Sequence, residues 1–284
     1  MREPTSAPAP HSATPARDVV CADALPWLAA RRPLPGASFI TSLPDVSELT
    51  LRSDPPHITS STDRETRDPH HARDPEHASQ VPAAGDPRSA TGASPSDAPP
   101  APRADSPLPF PAWRAWFIDA AAAVLRACPP EGVAIFYQTD IRHEGRWIDK
   151  SHLVQLAADR SGHQLVWHKI ACRKPAGTVT LGRPAYAHLL CFSVDPRPEP
   201  VALPDVFATG AMTWSRATGV DACRLACTYI LRHTATRTVV DPFCGRGTVL
   251  AVANTLGLAA VGVDHSPKRC RVAATLTLAD TDTA

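Results

Sequence analysis

Apolar positions along this chain fall into two spacings. Short apolar runs bounded by turn residues read as strands: DVVCA from Asp18, SFITS from Ser38, GVAIFYQTD ending at Asp140 and HQLVWHKIAC ending at Cys172. AYAHLLCFSV, RTVVDPF and AAVGVD continue the series toward the carboxyl end. Between them lie stretches with helical spacing: ALPWLAARR, PAWRAWFIDAAAAVLRAC, DKSHLVQLAADRSG, DACRLACTYILRHT, TVLAVANTLG and SPKRCRVAATLTLA. In the longest, Trp113, Trp116, Phe117, Ala120, Val124 and Leu125 form one apolar stripe. Strands alternating with helices predict an α/β fold, a parallel-rich sheet covered on both faces.

Two segments break the pattern. Residues 1–17 read as a disordered tail, and residues 50–108 as a low-complexity insertion rich in Pro, Asp, His and Ser. That insertion has no aromatic residue and repeats Asp-Pro at Asp68-Pro69, Asp74-Pro75 and Asp86-Pro87. Such a composition buries too little apolar surface to offset its ordering entropy. Its histidines His57, His70, His71 and His77 could chelate a metal, but the pattern supplies no scaffold to fix them, so a solvated linker is the expectation. Residues 18–49 and 109–284 then make one domain within the single-domain range.

Charge adds little. The chain has 29 basic and 28 acidic residues, so its bulk field favours no polyanion. No apolar run approaches the ~20 residues of a membrane span, and the first residues lack the apolar core of a secretory signal. The expected setting is soluble and intracellular, cytoplasm or nucleus; the acid-poor N-terminus leaves organelle import open. Eight cysteines show no CxxC pair or zinc spacing, and Cys223 and Cys227, one helical turn apart, read as reduced, buried small residues. No metal site is expected. Oligomeric state is not legible.

The chemistry concentrates in VVDPFCGRGTVL, residues 239–250. A strand ends at Asp241, a Gly245-x-Gly247 turn follows, and an apolar helix begins near Thr248. Glycines let a backbone approach a ligand closely, and the helix N-terminus offers unpaired N–H groups. No Lys follows the glycines, as a triphosphate loop would require. The next strand ends at Asp264, where an acid can accept hydrogen bonds from both hydroxyls of a ribose. Together they point to a nucleoside cofactor.

DPFCGRGTVLAVANTLGLAAVGVDHSPKRCRVA resembles motif I and its successor in S-adenosylmethionine-dependent methyltransferases, especially those acting on exocyclic amines of nucleic-acid bases. The resemblance implies a Rossmann-like class I methyltransferase sheet with S-adenosyl-L-methionine as cofactor, held by Asp241, Phe243, Gly245, Gly247, Thr248 and Asp264. VVCADALPWLAARRPLPGASFITSLPD resembles the same family's opening. It implies that Asp23 accepts a hydrogen bond from the adenine amino group, with Ala24 packed beside it, and that TSLPD is the catalytic turn. Since the cofactor loop follows that turn in the chain, the implied sheet is circularly permuted.

The turn departs from the family pattern. Ser42 and Pro44 match it, the Ser form being that of enzymes methylating cytosine N4. Leu43 replaces a Pro, and Asp45 stands where an aromatic would stack on a flipped base. Asp45 is expected to accept a proton or orient an N–H; alternatively it caps the VSEL turn. No Cys lies in TSLPD, so direct transfer to an amine or ring nitrogen fits better than a covalent route.

Further candidates lie mid-chain. Tyr137, Gln138 and Asp140 close the fifth strand, and Lys150, Lys169 and Arg183, with His168, Arg173 and Lys174, give a basic bias suited to phosphate. Trp214 and Arg216 precede the helix before the cofactor loop, while Trp147 and Trp167 read as packing residues. The relatives' separate target-recognition domain has no room here, so the expected partner is nucleic acid, with structured RNA (transfer RNA among the options) favoured over DNA. Methylation of a protein or small-molecule nitrogen, and a non-catalytic binding module, remain the alternatives.

Overall fold

The computed structural model describes residues 15–31, 33–49, 108–195 and 203–278. Most of the expected tail and the expected insertion, with its four histidines, lie outside the described residues. Strand β1 begins at Arg17, whose guanidinium donates to Asn254 Oδ1 at 2.6 Å and to the Leu276 carbonyl at 2.7 Å. A polar residue before the first apolar run marks a strand start as readily as a tail. At the insertion's base, Leu108 N donates to the Leu49 carbonyl at 3.0 Å, so the flanking residues meet.

Ten strands and six α-helices are described. The first half contains β1 (Arg17–Cys21), α1 (Ala24–Ala29), β2 (Ala37–Thr41), α2 (Phe110–Ala127) and β3 (Ala134–Gln138). After a small hairpin, β4 (Ile141–His143) and β5 (Arg146–Ile148), come α3 (Lys150–Arg160), β6 (Gln164–Cys172), β7 (Tyr186–Ser193) and β8 (Val206–Ala208). The chain closes with α4 (Val220–His233), β9 (Thr238–Asp241), α5 (Thr248–Thr255), β10 (Ala259–Asp264) and α6 (Pro267–Thr275).

Eight strands form one sheet in the order β1-β10-β9-β2-β3-β7-β6-β8. The five strands from β1 to β3 are mutually parallel; β7 runs against β3 and β6. Parallel pairing therefore sets the carboxyl ends of β1, β10, β9, β2 and β3 along one rim. In that register Cys21 pairs with Asp264 and Gly262 with Asp241.

Strand alternation divides the core between the two faces. Phe39, Phe136 and Val240 pack with Trp113, Phe117 and Val124 of α2, while Ile40, Ile135 and Val239 pack with Cys223 and Ile230 of α4 and Leu250 of α5. Burial on both faces explains the near-continuous apolar strand sequences. All eight cysteines are free thiols, and Cys223 and Cys227 are fully buried in this core. Among the described residues, no helix is long and apolar enough to cross a membrane.

Candidate functional site

The rim at the strand ends carries the site. Asp241 closes β9, and its Oδ1 accepts both the Thr41 hydroxyl at 2.7 Å and the Phe243 amide at 3.1 Å. Thr41 closes β2, so one hydrogen bond joins the TSLPD turn to the DPFCGRGT loop. Burial raises the Asp241 carboxyl to about 7, with the nearby Asp264 charge adding to the effect.

The two loop glycines differ in use. Gly247, at φ 86°, caps α5, and a Cβ there would lie 2.7 Å from Ala273 Cα of α6. Its bareness serves helix packing and a left-handed turn. Gly245 is left-handed as well, at φ 55°, but a Cβ on it would lie 2.9 Å from the Trp214 ring. That indole covers the loop and is flanked by Arg246 and Arg269, whose guanidinium carbons lie 5.2 and 5.8 Å from its centroid. Trp214, a substrate candidate from the sequence on the approach that the resemblance links to the cofactor pocket, lies against the DPFCGRGT loop. Thr248 is buried at the start of α5, and its hydroxyl bonds that of Thr213. Phe243 packs edge-on against Trp116.

Asp264 ends β10 beside the loop. Its Oδ2 accepts the Gly245 amide at 3.2 Å and lies 3.6 Å from Arg269; its Oδ1 accepts the Ser266 amide at 2.8 Å. Each oxygen has about two acceptor directions, so Oδ1 retains one for a ligand hydroxyl. Asp23, one strand over, is exposed and caps α1 by accepting the Leu25 amide at 3.0 Å, which leaves its second oxygen free of that bond; Ala24 beside it is buried.

The catalytic-turn candidates sit on the same rim. Ser42 and Pro44 are half-buried, and the Pro44 carbonyl accepts Trp113 Nε1 at 3.3 Å. Asp45 makes no side-chain cap to the 3-10 turn Val46–Glu48. Its Oδ1 instead accepts Lys150 Nζ at 2.7 Å and its Oδ2 accepts Arg183 at 2.8 Å. With both oxygens held by cations, Asp45 stiffens the turn; the geometry does not favour it as a proton acceptor.

The phosphate expectation for Lys150 and Lys169 is corrected by burial. Lys150 is 2% exposed and also donates to the Leu43 carbonyl at 3.4 Å; Lys169 is 4% exposed and bonds Asp205 and the Leu203 carbonyl, each at 3.1 Å. Both are consumed within the fold. Arg183 keeps 41% of its side chain exposed. It lines a cleft of about 240 Å³ with Arg173, Lys174, Thr180, Gly210 and Met212.

Asp140 and Tyr137 are likewise turned inward. Asp140 accepts the Lys150 amide at 2.9 Å, Trp147 Nε1 at 3.1 Å and His188 Nε2 at 3.0 Å, and Tyr137 bonds the Thr209 hydroxyl at 3.1 Å. Neither side chain is available as the rim contact that the sequence suggested. Burial pushes the Tyr137 phenol up. Gln138 is fully buried, and neither polar atom of its amide has a hydrogen-bond partner among the described residues.

Sequence reasoning missed the roles of Thr41 and of His188. His188 links Asp140 to His168, whose Nε2 lies 2.9 Å from His188 Nδ1, and burial together with the neighbouring imidazole lowers the His168 pKa. Asp140, Asp149 and His188 each bring one ligand atom within 4.8 Å of the others, a three-donor grouping that no sequence spacing announced. His188 was visible in AYAHLLCFSV, but its partners His168 and Asp140 lie 20 and 48 positions away.

No known family's sequence pattern matches this chain, and no curated protein matches it. Solved structures do. TTHA0409 of Thermus thermophilus, named as a candidate DNA modification methylase, superimposes with a TM-score of 0.53 at 14% identity over 91% of this chain and 92% of that one. Its complex with S-adenosyl-L-methionine gives 0.52 at 14% identity, covering 91% of each chain. The PvuII DNA methyltransferase, cytosine-N4-specific, gives 0.53 at 13% identity over 93% of this chain and 88% of that one. At such identities the likeness establishes a shared architecture alone: a mixed α/β chain with a mostly parallel central sheet.

Proposed function

We infer that this chain is an S-adenosyl-L-methionine-dependent methyltransferase that modifies an amino nitrogen of a nucleic-acid base. The observation that carries this reading is the Thr41–Asp241 hydrogen bond, which sets the TSLPD turn beside the DPFCGRGT loop at neighbouring strand ends. In chain order the turn comes first and the loop last; in space they are adjacent. A circularly permuted methyltransferase sheet accounts for both.

The residues present fit the cofactor. Asp264 would take the ribose through its remaining acceptor direction, and exposed Asp23 would take the adenine amino group beside buried Ala24. Asp241 and the loop from Phe243 to Thr248 would line the methionine portion, with Trp214 as its wall. The cofactor supplies an electrophilic methyl group. The protein's part is alignment and exclusion of water: Asp45, clamped by Lys150 and Arg183, fixes the turn from which Ser42 and Pro44 face the acceptor.

The polymer is proposed to be DNA. The compactness of the domain suggested RNA, but the structural neighbours are named for DNA, and the RNA preference finds no support in them. The test is incubation of the full chain and labelled cofactor with DNA, total RNA and protein extract, followed by nucleoside identification. Label recovered as an N-methylated base of DNA supports the reading; label confined to protein or small molecules overturns it. Independently, cofactor affinity that is unchanged in Asp264→Ala would remove the cofactor assignment.

A further inference from the structure

The loop joining β6 to β7 has two faces of opposite character. At its base the amides of Arg173 and Lys174 donate to the Ala185 carbonyl at 2.6 and 3.1 Å, and near its tip Thr178 N donates to the Pro175 carbonyl at 3.2 Å. Arg183 then ties the returning limb to Asp45 of the TSLPD turn. The loop is therefore a closed, anchored projection. Thr180 turns into the cleft lined by Arg173, Lys174 and Arg183. On either side of it, Val179 and Leu181 are 86% and 94% exposed, the two most exposed large apolar side chains among the described residues.

A single exposed Leu is ordinary, but adjacent apolar side chains among polar neighbours mark an interaction surface, and Val179 and Leu181 lie two positions apart on one loop, both almost wholly exposed. The same loop carries Arg173, Lys174 and Arg183 along the adjoining cleft, a local positive charge that favours a polyanion. Leu181 is two residues from Arg183, hence within about 7 Å of it along the chain, and Arg183 touches the turn assigned to the acceptor base. Apolar side chains carried on a basic support can enter a nucleic-acid stack between base steps. An enzyme acting on an amino group inside a duplex must extrude that base, and the gap has to be held open.

We propose that Leu181, assisted by Val179, is a wedge that enters duplex DNA beside the target base, while Arg173 and Lys174 hold the adjacent phosphates. This rests on the function inferred above and names how its substrate is opened. A single-stranded target has no stack to part, so the wedge should matter chiefly on duplexes.

The test measures methyl transfer from labelled cofactor to unmethylated amplified DNA, native and heat-denatured, with cofactor affinity followed in parallel. In the Val179→Ala/Leu181→Ala double variant, the ratio of native to denatured transfer should fall at least tenfold. Leu181→Phe, which preserves an apolar wedge, should keep the ratio within threefold of the parent. Arg173→Ala/Lys174→Ala should lower the slope of log affinity against log salt by about 2. An unchanged ratio in the double variant overturns the wedge while leaving the methyltransferase reading intact. A parent protein that binds cofactor but labels neither DNA form, or labels only structured RNA, overturns the DNA assignment and the wedge with it.

Discussion

The ammonium of Lys150 lies 2.7 Å from a carboxylate oxygen of Asp45, and the Lys150 side chain is 2% exposed. A charge so enclosed is tolerable only while its partner is present. Removing one partner of a buried pair costs about 3–5 kcal/mol, whereas replacing both with apolar groups of similar volume is often close to neutral. Arg183 remains on Asp45 when Lys150 is removed, so Lys150→Met should fall near the lower end of that range in urea unfolding. Asp45→Leu/Lys150→Met should recover most of the loss. A single variant as stable as the parent would show that the pair is not closed in solution.

The same clamp makes a kinetic prediction. Asp45→Asn keeps the shape of the turn but weakens both cation contacts, so the acceptor is aligned less well. Turnover should drop by about tenfold or more, since small displacements of aligned groups are costly, while cofactor affinity changes little. Equal losses in both quantities would make Asp45 part of the cofactor pocket.

The two loop glycines should separate by phenotype. Gly247→Ala puts a methyl group against the α6 backbone at a φ of 86°, and backbone strain plus overpacking should cost about 2–4 kcal/mol. Gly245→Ala is strained too, since Gly245 sits at φ 55°, at about 1–2 kcal/mol. Its methyl group meets only the edge of the Trp214 ring, which can move, so it should cost less stability than Gly247→Ala and act more on cofactor affinity. Trp214→Ala in the Gly245→Ala background should relieve the contact. Isothermal titration alongside urea unfolding distinguishes the two outcomes.

Legibility followed the periodicities. The parallel strands and their helices were readable because burial on both faces leaves long apolar runs, and the DPFCGRGT turn because its glycines and flanking acids are contiguous. β8 and the β4–β5 hairpin were not, since three-residue strands such as VFA and IRH show no period. Lys150 looked like a surface cation because its partner Asp45 lies 105 positions away. The same blindness hid Thr41, which looked like a strand end until Asp241 was placed next to it. Contiguous motifs can be read from sequence; clamps assembled across strands need the fold.

Asp241 should give stability an unusual pH dependence. Its folded pKa is raised to about 7, against about 3.9 in an unfolded chain. Between those values the folded state holds more protons than the unfolded one, so this contribution is full below about pH 4 and is lost as pH rises toward 7. In Asp241→Asn the retained Oδ1 can still accept the Thr41 hydroxyl and the Phe243 amide, both of which bond that atom. The variant should therefore gain on the parent as pH climbs from 4 to 8, by on the order of a few kcal/mol. Urea midpoints across that range measure it; parallel pH profiles for the two proteins would mean that Asp241 is ionised throughout.

Gln138 tests whether an unpartnered amide has a use. Replacing a buried, unbonded polar group with an apolar one of similar size removes a desolvation penalty of about 1–3 kcal/mol. Gln138→Met should accordingly be more stable than the parent by about 1 kcal/mol or more. If the amide waits at the end of β3 for the acceptor base, the same variant should lose methyl transfer while binding cofactor normally. Stability and activity then move in opposite directions, which a packing residue does not produce; a variant that is both more stable and fully active would leave Gln138 without a role in the site.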